Sequence, residues 1–570
     1  MILGQIVTLI AVILSLPIPL MLPALVDEVL LEKPAFFVNN IDTFFGSGDA
    51  FYYVAIVAFS VILLRFVYFI FNSILIKIFT KISKYVTFKI RERLLKRLQK
   101  VSMNEYETLG SGAIGANLIT DVNTLDNFII TTASKFVSSV LTLIAIGILM
   151  VFIHPLLGIM ILIMQPLIIL MAKKISNNVK VLKKEENNSI EKFQDNIGEV
   201  LDLFGQIKAS NKESYFFNQS IKKAKNIQKT SNEYNYKSVV YEKFSYTVFL
   251  IGFEIIRAAG LLMVVYSDLS IGMMFAMFGY IWFIMTPIQD ILTIQYSYAT
   301  TKAALDRINK ILELDIEQNG QDGIKTIDDK LEIELKNVSF GYTKDKTILE
   351  DISFKIQDKD KIALIGASGS GKTTLAQLIS GFYSKSCGDI LYNDISIDSL
   401  QKQTIRENIF LVLQMPILFN NTLRFNITMG DENIKDEDIF KALKIAQLED
   451  MIQNMNEGLD TVVGKQGIRL SGGQRQRLSI ARMIIANPKV VIFDESTSAL
   501  DVHTEAMLFK ELEPMLKDKT VITIAHRLST VKNANMIYVL DDSSLVQKGT
   551  HEELDQEEGH YKEFIKNQLI

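Results

Sequence analysis

Between Gly366 and Thr373 the chain reads "GASGSGKT", where Gly366, Gly369 and Gly371 leave bare backbone around a tight loop. Backbone N–H groups in such a loop converge on phosphate oxygens, above all where the loop opens a helix. The preceding stretch, Lys361–Ile365, reads as a buried strand, and Leu375 onward has a helical pattern. That strand–loop–helix context is what the spacing G-x-x-x-x-G-K-[ST] requires. Lys372 is then placed to reach the β- and γ-phosphates of a nucleotide and Thr373 to ligate Mg²⁺; Ala367, Ser368, Ser370 and Thr374 complete the cradle with the glycines. A second apolar run, Val490–Phe493, ends in Asp494-Glu495. A strand that delivers two carboxylates to a phosphate loop has a chemical use. Asp494 can hold Mg²⁺ through water, and Glu495 can polarise the water that attacks the γ-phosphate.

A third motif lies between these two. "LSGGQ", Leu470 to Gln474, opens a helix running through Arg475 and Arg482. Ser471, Gly472 and Gly473 expose backbone at a positive helix terminus, which suits a phosphate arriving from outside. One nucleotide site does not need two cradles, so nucleotide shared between two chains is expected.

The elements that must position these groups differ sharply along the chain. Of 570 residues, 49% are hydrophobic, and the mean hydropathy is +0.22. Apolar runs crowd the first 300 residues, whereas charge and short strand-like runs fill the rest. Six runs are long enough to cross ~30 Å of hydrocarbon: one starting at Met1, then 51–76, 136–153, 155–172, 244–266 and 270–294. The first has neither a basic flank nor a small-residue cleavage site and reads as a retained span kinked by Pro17, Pro19 and Pro23. His154-Pro155 makes the third and fourth a tight hairpin. The loop after the first span is acidic, with Asp27, Glu28, Glu32, Asp42 and Asp49, and the segment Lys81–Lys100 is dense in Lys and Arg. The positive-inside rule puts both chain ends in the cytoplasm. The polar connections 80–133 and 173–243 keep helical periodicity, so spans two to five are expected to continue as helices beyond the bilayer. A net charge of −4 gives no basic character for nucleic acid, and the single Cys387 excludes a disulfide within the chain.

"LSGGQ" between the phosphate loop and "VVIFDE" resembles the signature of ABC transporter nucleotide-binding domains, and the whole layout looks like an ABC exporter half-transporter. The resemblance implies a six-helix α transmembrane domain followed by an α/β phosphate-loop nucleotide-binding domain. It divides the chain into 1–300, a linker 301–328 and 329–570. It implies stacking of Tyr342 on adenine, contact of Gln414 with Mg²⁺, and roles at the nucleotide for Gln474, Asp501 and His526, the last meeting the γ-phosphate. It implies ATP and Mg²⁺ as cofactors and a dimer, most simply of identical chains, clamping ATP between the phosphate loop of one copy and Ser471–Gly473 of the other. Helix tips near Tyr106–Ala116 and Gln206–Phe216 would dock beside Gln414 and couple closure to the spans. Two features depart from the family pattern. Its members usually place a short amphipathic helix before span one, whereas this sequence opens almost within it. Lys465-Gln466 also stands where a Glu-Arg pair is common.

The cargo is expected to be hydrophobic or amphipathic, such as a lipid or drug-like molecule, carried across the cytoplasmic membrane. The alternative is a peptide or glycolipid intermediate, moved by a heterodimer. Ionisable residues inside spans are few: Arg65, Glu254, Arg257 and, at the margin, Asp290 beside Gln289, with Gln165 a further polar position. Glu254 and Arg257 share a helix face, as a cavity spot or as a structural pair. Met263, Met273, Met274, Met277 and Met285 make either a soft lining or packing.

Overall fold

The computed structural model of the chain describes residues 2–33, 35–317, 330–343, 346–464, 470–495, 499–525 and 531–569. Its contacts form two units: Met1–Lys96 with Gly112–Glu313, and Arg97–Ser111 with Leu314–Ile570.

The first unit is helical. It contains α1 (Ile2–Ser15), α2 (Pro17–Pro23), α3 (Phe36–Phe45) and α4 (Ala50–Leu98). After α5 (Met103–Leu109), which belongs to the second unit, come α6 (Ser111–Ala116), α7 (Val122–Asn127) and α8 (Ser134–Ile153). Then follow α9 (Pro155–Asp202), α10 (Phe204–Ala209), α11 (Glu213–Tyr266) and α12 (Ile271–Glu313). Five stretches among the described residues are long and apolar enough to cross a membrane: Gly4–Leu30, Ala50–Leu98, Ser111–Ile153, Glu213–Tyr266 and Ile271–Ile291. The remaining expected span, 155–172, falls within α9, which is unbroken. At 49 residues, α4 is about 74 Å long, more than twice the hydrocarbon thickness. The 48 residues of α9 and 54 of α11 likewise run far past it, and α10 makes the tip between them.

Proline breaks the first span where the sequence predicts. Helix α1 stops at Ser15, Pro17 opens α2, and wider π-type turns cover Ala24–Leu30 after Pro23. The fully buried Tyr280 of α12 donates its hydroxyl to the Leu16 carbonyl at this break. The acidic residues that follow do local work. Asp27 accepts from the Ser270 hydroxyl and, at 2.9 Å, from the Gly272 N–H, capping α12. Glu28 accepts from the N–H groups of Ala35, Phe37 and Val38, capping α3. Ile146, Met150, Leu157, Phe249, Ile256 and Tyr280 belong to the core of the unit. Met274 and Met277 are in that core, and Met263 and Met285 pack against it. The methionine stripe is therefore packing, apart from the exposed Met273.

The second unit is α/β. Strands β1 (Ile333–Phe340), β2 (Leu349–Ile356), β3 (Lys361–Gly366), β4 (Cys387–Tyr392), β5 (Ile395–Ser396) and β6 (Ile409–Val412) come first. They are followed by β7 (Asn421–Thr422), β8 (Val462–Val463), β9 (Val490–Asp494), β10 (Thr520–Ile524), β11 (Met536–Asp541) and β12 (Ser544–Gly549). One sheet has the order β2-β1-β4-β5, and the other β12-β11-β3-β10-β9-β6. In the second sheet β11, β3, β10, β9 and β6 run parallel. Parallel strands covered on both faces read as continuous apolar runs, and β3 and β9 do so. Only β10 separates β3 from β9, with Ile524 level with both Leu364 and Asp494. The phosphate loop and the Asp494-Glu495 pair thus leave the same edge, at the carboxyl ends of the strands, where open α/β sheets bind ligands. Besides α5, the unit's described residues form helices α13 (Lys372–Ile379), α14 (Lys402–Asn408), α15 (Leu423–Thr428), α16 (Asp436–Ile445), α17 (Glu449–Gln453), α18 (Gly472–Ala486) and α19 (Val502–Leu516), with two more near the end of the chain.

Candidate nucleotide site

The phosphate loop is fixed by backbone that only glycine supplies. Gly366 sits at φ 149°, and a Cβ there would stand 1.9 Å from the Leu540 carbonyl oxygen. The tight approach lets β3 pass directly into the loop and α13. Lys372 Nζ donates to the carbonyls of Gly366 at 2.9 Å and Ala367 at 2.8 Å, so the ammonium lies over the loop. Burial lowers its pKa below the ordinary lysine value, and the carboxylates of Glu495 and Asp494 oppose that shift.

Thr373 Oγ1 donates to Asp494 Oδ1 at 3.1 Å, and Asp494 is only 3% exposed. A hydroxyl and a carboxylate oxygen at this separation are a hard-oxygen set of the kind Mg²⁺ takes together with water and phosphate. Glu495 follows in a left-handed conformation, φ 45°, and accepts from Gln414 Nε2 at 2.5 Å. Lys372, Thr373, Asp494, Glu495 and Gln414 therefore form one cluster, drawn from the start of α13, the end of β9 and the loop after β6.

Tyr342 lies beside the same loop. Its hydroxyl is 3.0 Å from Thr374 Oγ1, and its ring meets Phe340 and Tyr383 edge-on at 5.0 and 5.3 Å. The signature residues are organised differently. Ser471 Oγ accepts from the Gln474 N–H at 3.2 Å, and the Gln474 side chain accepts from the Ser471 N–H at 2.8 Å. This reciprocal capping box starts α18 and explains the Ser-x-x-Gln spacing. Gly473 is required by proximity, since a Cβ there would come within 2.9 Å of Leu500 Cδ2 and 3.1 Å of the Ala499 oxygen. Asp501 caps α19, accepting from the Thr504 N–H at 2.9 Å and from its hydroxyl. No described hydrogen bond joins the signature to the phosphate loop. His526 and the Lys465-Gln466 departure lie outside the described residues.

Two residues escaped the reading of the sequence. Gln476, 4% exposed, donates to the Gln414 carbonyl at 3.1 Å and accepts from the Ala499 N–H at 3.1 Å. It ties the loop carrying Gln414 to the one preceding Asp501. The only signal was a glutamine on the apolar side of α18. Tyr383 is the other. Its hydroxyl donates to Glu107 of α5 at 2.8 Å, and Met103 of α5 packs on the core beneath. Helix α5, which overlaps the expected tip near Tyr106–Ala116, is thus tied into its own unit at Tyr383. Backbone bonds from Ser102 to Asp315 and from Glu317 to Lys100 hold the same segment.

The first unit carries a cavity of about 1120 Å³ lined by Arg65, Trp282 and Asp290 among others. Glu254 and Arg257 are not in its lining; they pair with each other at 2.5 Å.

A helical membrane unit fused to this α/β phosphate-loop unit defines an ABC transporter, and the chain belongs to that family: residues 20–288 match the ABC transporter transmembrane region and residues 349–498 the ABC transporter family. It is a multi-pass membrane protein with the family's ATP-binding domain. Among its relatives is the "Putative multidrug export ATP-binding/permease protein YgaD" of Bacillus subtilis (strain 168), 30% identical over 482 residues, 84% of this chain and 83% of that one. A Staphylococcus aureus (strain NCTC 8325 / PS 47) protein described in the same terms is 29% identical over 489 residues, 84% of this chain and 83% of its own. The fold matches a solved "bacterial Atm1-family ABC exporter with ATP bound" with a TM-score of 0.83 at 23% identity, over 100% of this chain and 97% of that one.

Proposed function

We propose that this chain exports hydrophobic or amphipathic molecules across the cytoplasmic membrane, as one half of a dimer driven by ATP hydrolysis. The observation that carries this reading is the cavity of about 1120 Å³ inside the membrane unit, walled largely by apolar side chains of α1, α2, α4 and α12. Its size suits a drug-sized or single-chain molecule. Relatives named for multidrug export and an exporter-type fold support the outward direction.

In this reading ATP lies between Gly366–Thr374 of one copy and Ser471–Gly473 of the other. Tyr342 stacks on the base, Lys372 holds the β- and γ-phosphates, and Glu495 takes the proton of the attacking water. His526 and Asp501, the latter capping α19, complete the site. Thr373, Asp494 and Gln414 are the residues that would hold Mg²⁺, which when bound neutralises phosphate charge. ATP favours the closed pair and hydrolysis releases it, a ligand-biased two-state element. Residues 1–300 form the transporting part, 301–328 a linker and 329–570 the motor, with both termini cytoplasmic on the strength of the basic segment Lys81–Lys100.

The test is uptake of a fluorescent amphiphile into inside-out proteoliposomes. Accumulation that requires ATP, and a particle of twice the 64.5 kDa protomer mass, are expected. Full ATP turnover by a lone protomer, or no ATP-dependent accumulation of any amphiphile, would overturn the reading.

A further inference from the structure

The cavity in the membrane unit is lined by apolar, polar and charged side chains together. On α4 its lining runs from Val57 and Val61 through Arg65 and Asn72 to Leu75 and Ile76; on α12 it runs from Gly279 and Trp282 to Thr286 and Asp290. Helix α8 contributes Lys135, Ser138, Ser139 and Thr142, all from its first half. Lys135 Nζ lies 3.5 Å from Asp290 Oδ1, and Ser139 Oγ donates to Asp290 Oδ2 at 3.2 Å, so the beginning of α8 meets the later part of α12. Apolar side chains thus lie on both sides of Arg65 along α4.

The cavity carries unbalanced charge. Its formally charged lining groups are Arg65, Lys135 and Asp290. Lys135 and Asp290 offset each other, while Arg65 makes no ion pair or hydrogen bond among the described residues. Arg65 sits in an apolar stretch of α4, where a cation is expensive unless it faces a cavity with something to meet. A guanidinium offers a planar fork of donors matched to the oxygens of a phosphate, sulfate or carboxylate. Resting on the export reading above, we infer that the cavity takes an amphiphile with an anionic headgroup. The headgroup meets Arg65, and the chain lies along Val57, Val61 and Trp282.

Trp282 is the only tryptophan in the chain and lines this cavity, so its fluorescence reports occupancy without reference to ATP turnover. The full chain in phosphatidylcholine nanodiscs is titrated with four probes: dodecyl phosphate, dodecyl maltoside, dodecyltrimethylammonium and inorganic phosphate. Dodecyl phosphate is expected to shift the emission at a concentration about tenfold or more below that of the maltoside, with the ammonium weaker still and inorganic phosphate without effect. Arg65→Gln should remove the advantage of the phosphate over the maltoside, and Arg65→Lys should keep most of it. Equal potency of dodecyl phosphate and maltoside on the wild-type chain would overturn the inference while leaving amphiphile export standing. A full anion preference in Arg65→Gln would do the same. An equal response to inorganic phosphate would overturn the amphiphile in favour of a free anion. A Trp282 emission unmoved by every probe would sink this inference and the export reading together. The wild-type series needs no variant, so a misfolded substitution does not protect the proposal.

Discussion

The side chain of Gln414 donates to the carboxylate of Glu495 at 2.5 Å, linking the loop after β6 to the end of β9. The carboxylate expected to polarise water is therefore held by a neutral amide. Glu495→Gln keeps the size and polarity of that position but removes the base. Turnover is expected to fall by at least about a hundredfold, because a positioned base contributes on that order or more. Nucleotide binding should remain. Steady-state ATPase and fluorescent-nucleotide titration on the same preparation separate the two. Substantial residual turnover would remove Glu495 from the catalytic role.

Gln476 bridges two loops with the two ends of one amide. Gln476→Ala would leave the Ala499 N–H and the Gln414 carbonyl without this partner, at about 1–3 kcal/mol if both stay buried. The expected kinetic signature is a kcat lower by about tenfold with KM for ATP little changed, since no phosphate contact is lost. Gln476→Glu retains an acceptor for Ala499 but loses the donor to Gln414, so it should fall between wild type and alanine. An alanine variant that lost stability with unaltered kcat would reduce Gln476 to a packing role.

The contrast between these residues shows what the sequence made legible. The phosphate loop, Asp494 and Glu495 are short continuous motifs whose chemistry follows from adjacent residues, and β3, β9 and α13 form where their patterns predict. The kinked first span and the long helices were equally readable, because proline geometry and 3.6-residue periodicity are local properties. Tyr383 and Glu107 stand 276 residues apart, and no periodicity links them. Asp27 and Glu28 illustrate the same limit: their charge gave an orientation, but only the fold reveals that they cap α12 and α3. Arg65 was visible as a charge in an apolar run, whereas its place in the lining of a cavity depends on the fold.

The Tyr383 hydroxyl couples helix α5 to the ring against which Tyr342 packs. Burial, reinforced by the Glu107 carboxylate it donates to, pushes the phenol pKa up, so Tyr383 remains a donor at physiological pH. Tyr383→Phe removes only that hydroxyl. Basal ATPase should persist while stimulation by transported amphiphile declines. Tyr342→Ala, by contrast, should weaken ATP affinity itself by about tenfold, the scale of one lost base stack. If Tyr383→Phe retained full stimulation, α5 would not signal through this bond.

Asp501 offers a prediction in pH. The Thr504 hydroxyl, followed by its N–H, stabilises the Asp501 carboxylate and lowers its pKa below the ordinary 3.8. A depressed folded value means that the carboxylate adds stability above the unfolded pKa and loses it as pH falls through the folded one. Asp501→Ala deletes both the cap of α19 and this charge. Its melting temperature should lie below that of wild type at pH 7, and the gap should narrow only below about pH 4. Asp501→Asn preserves an N-cap acceptor and should sit close to wild type at neutral pH. Thermal unfolding of the three proteins from pH 7 to pH 3 supplies the measurement. A gap of constant size over that range would show that the titrating charge of Asp501 adds nothing to the cap.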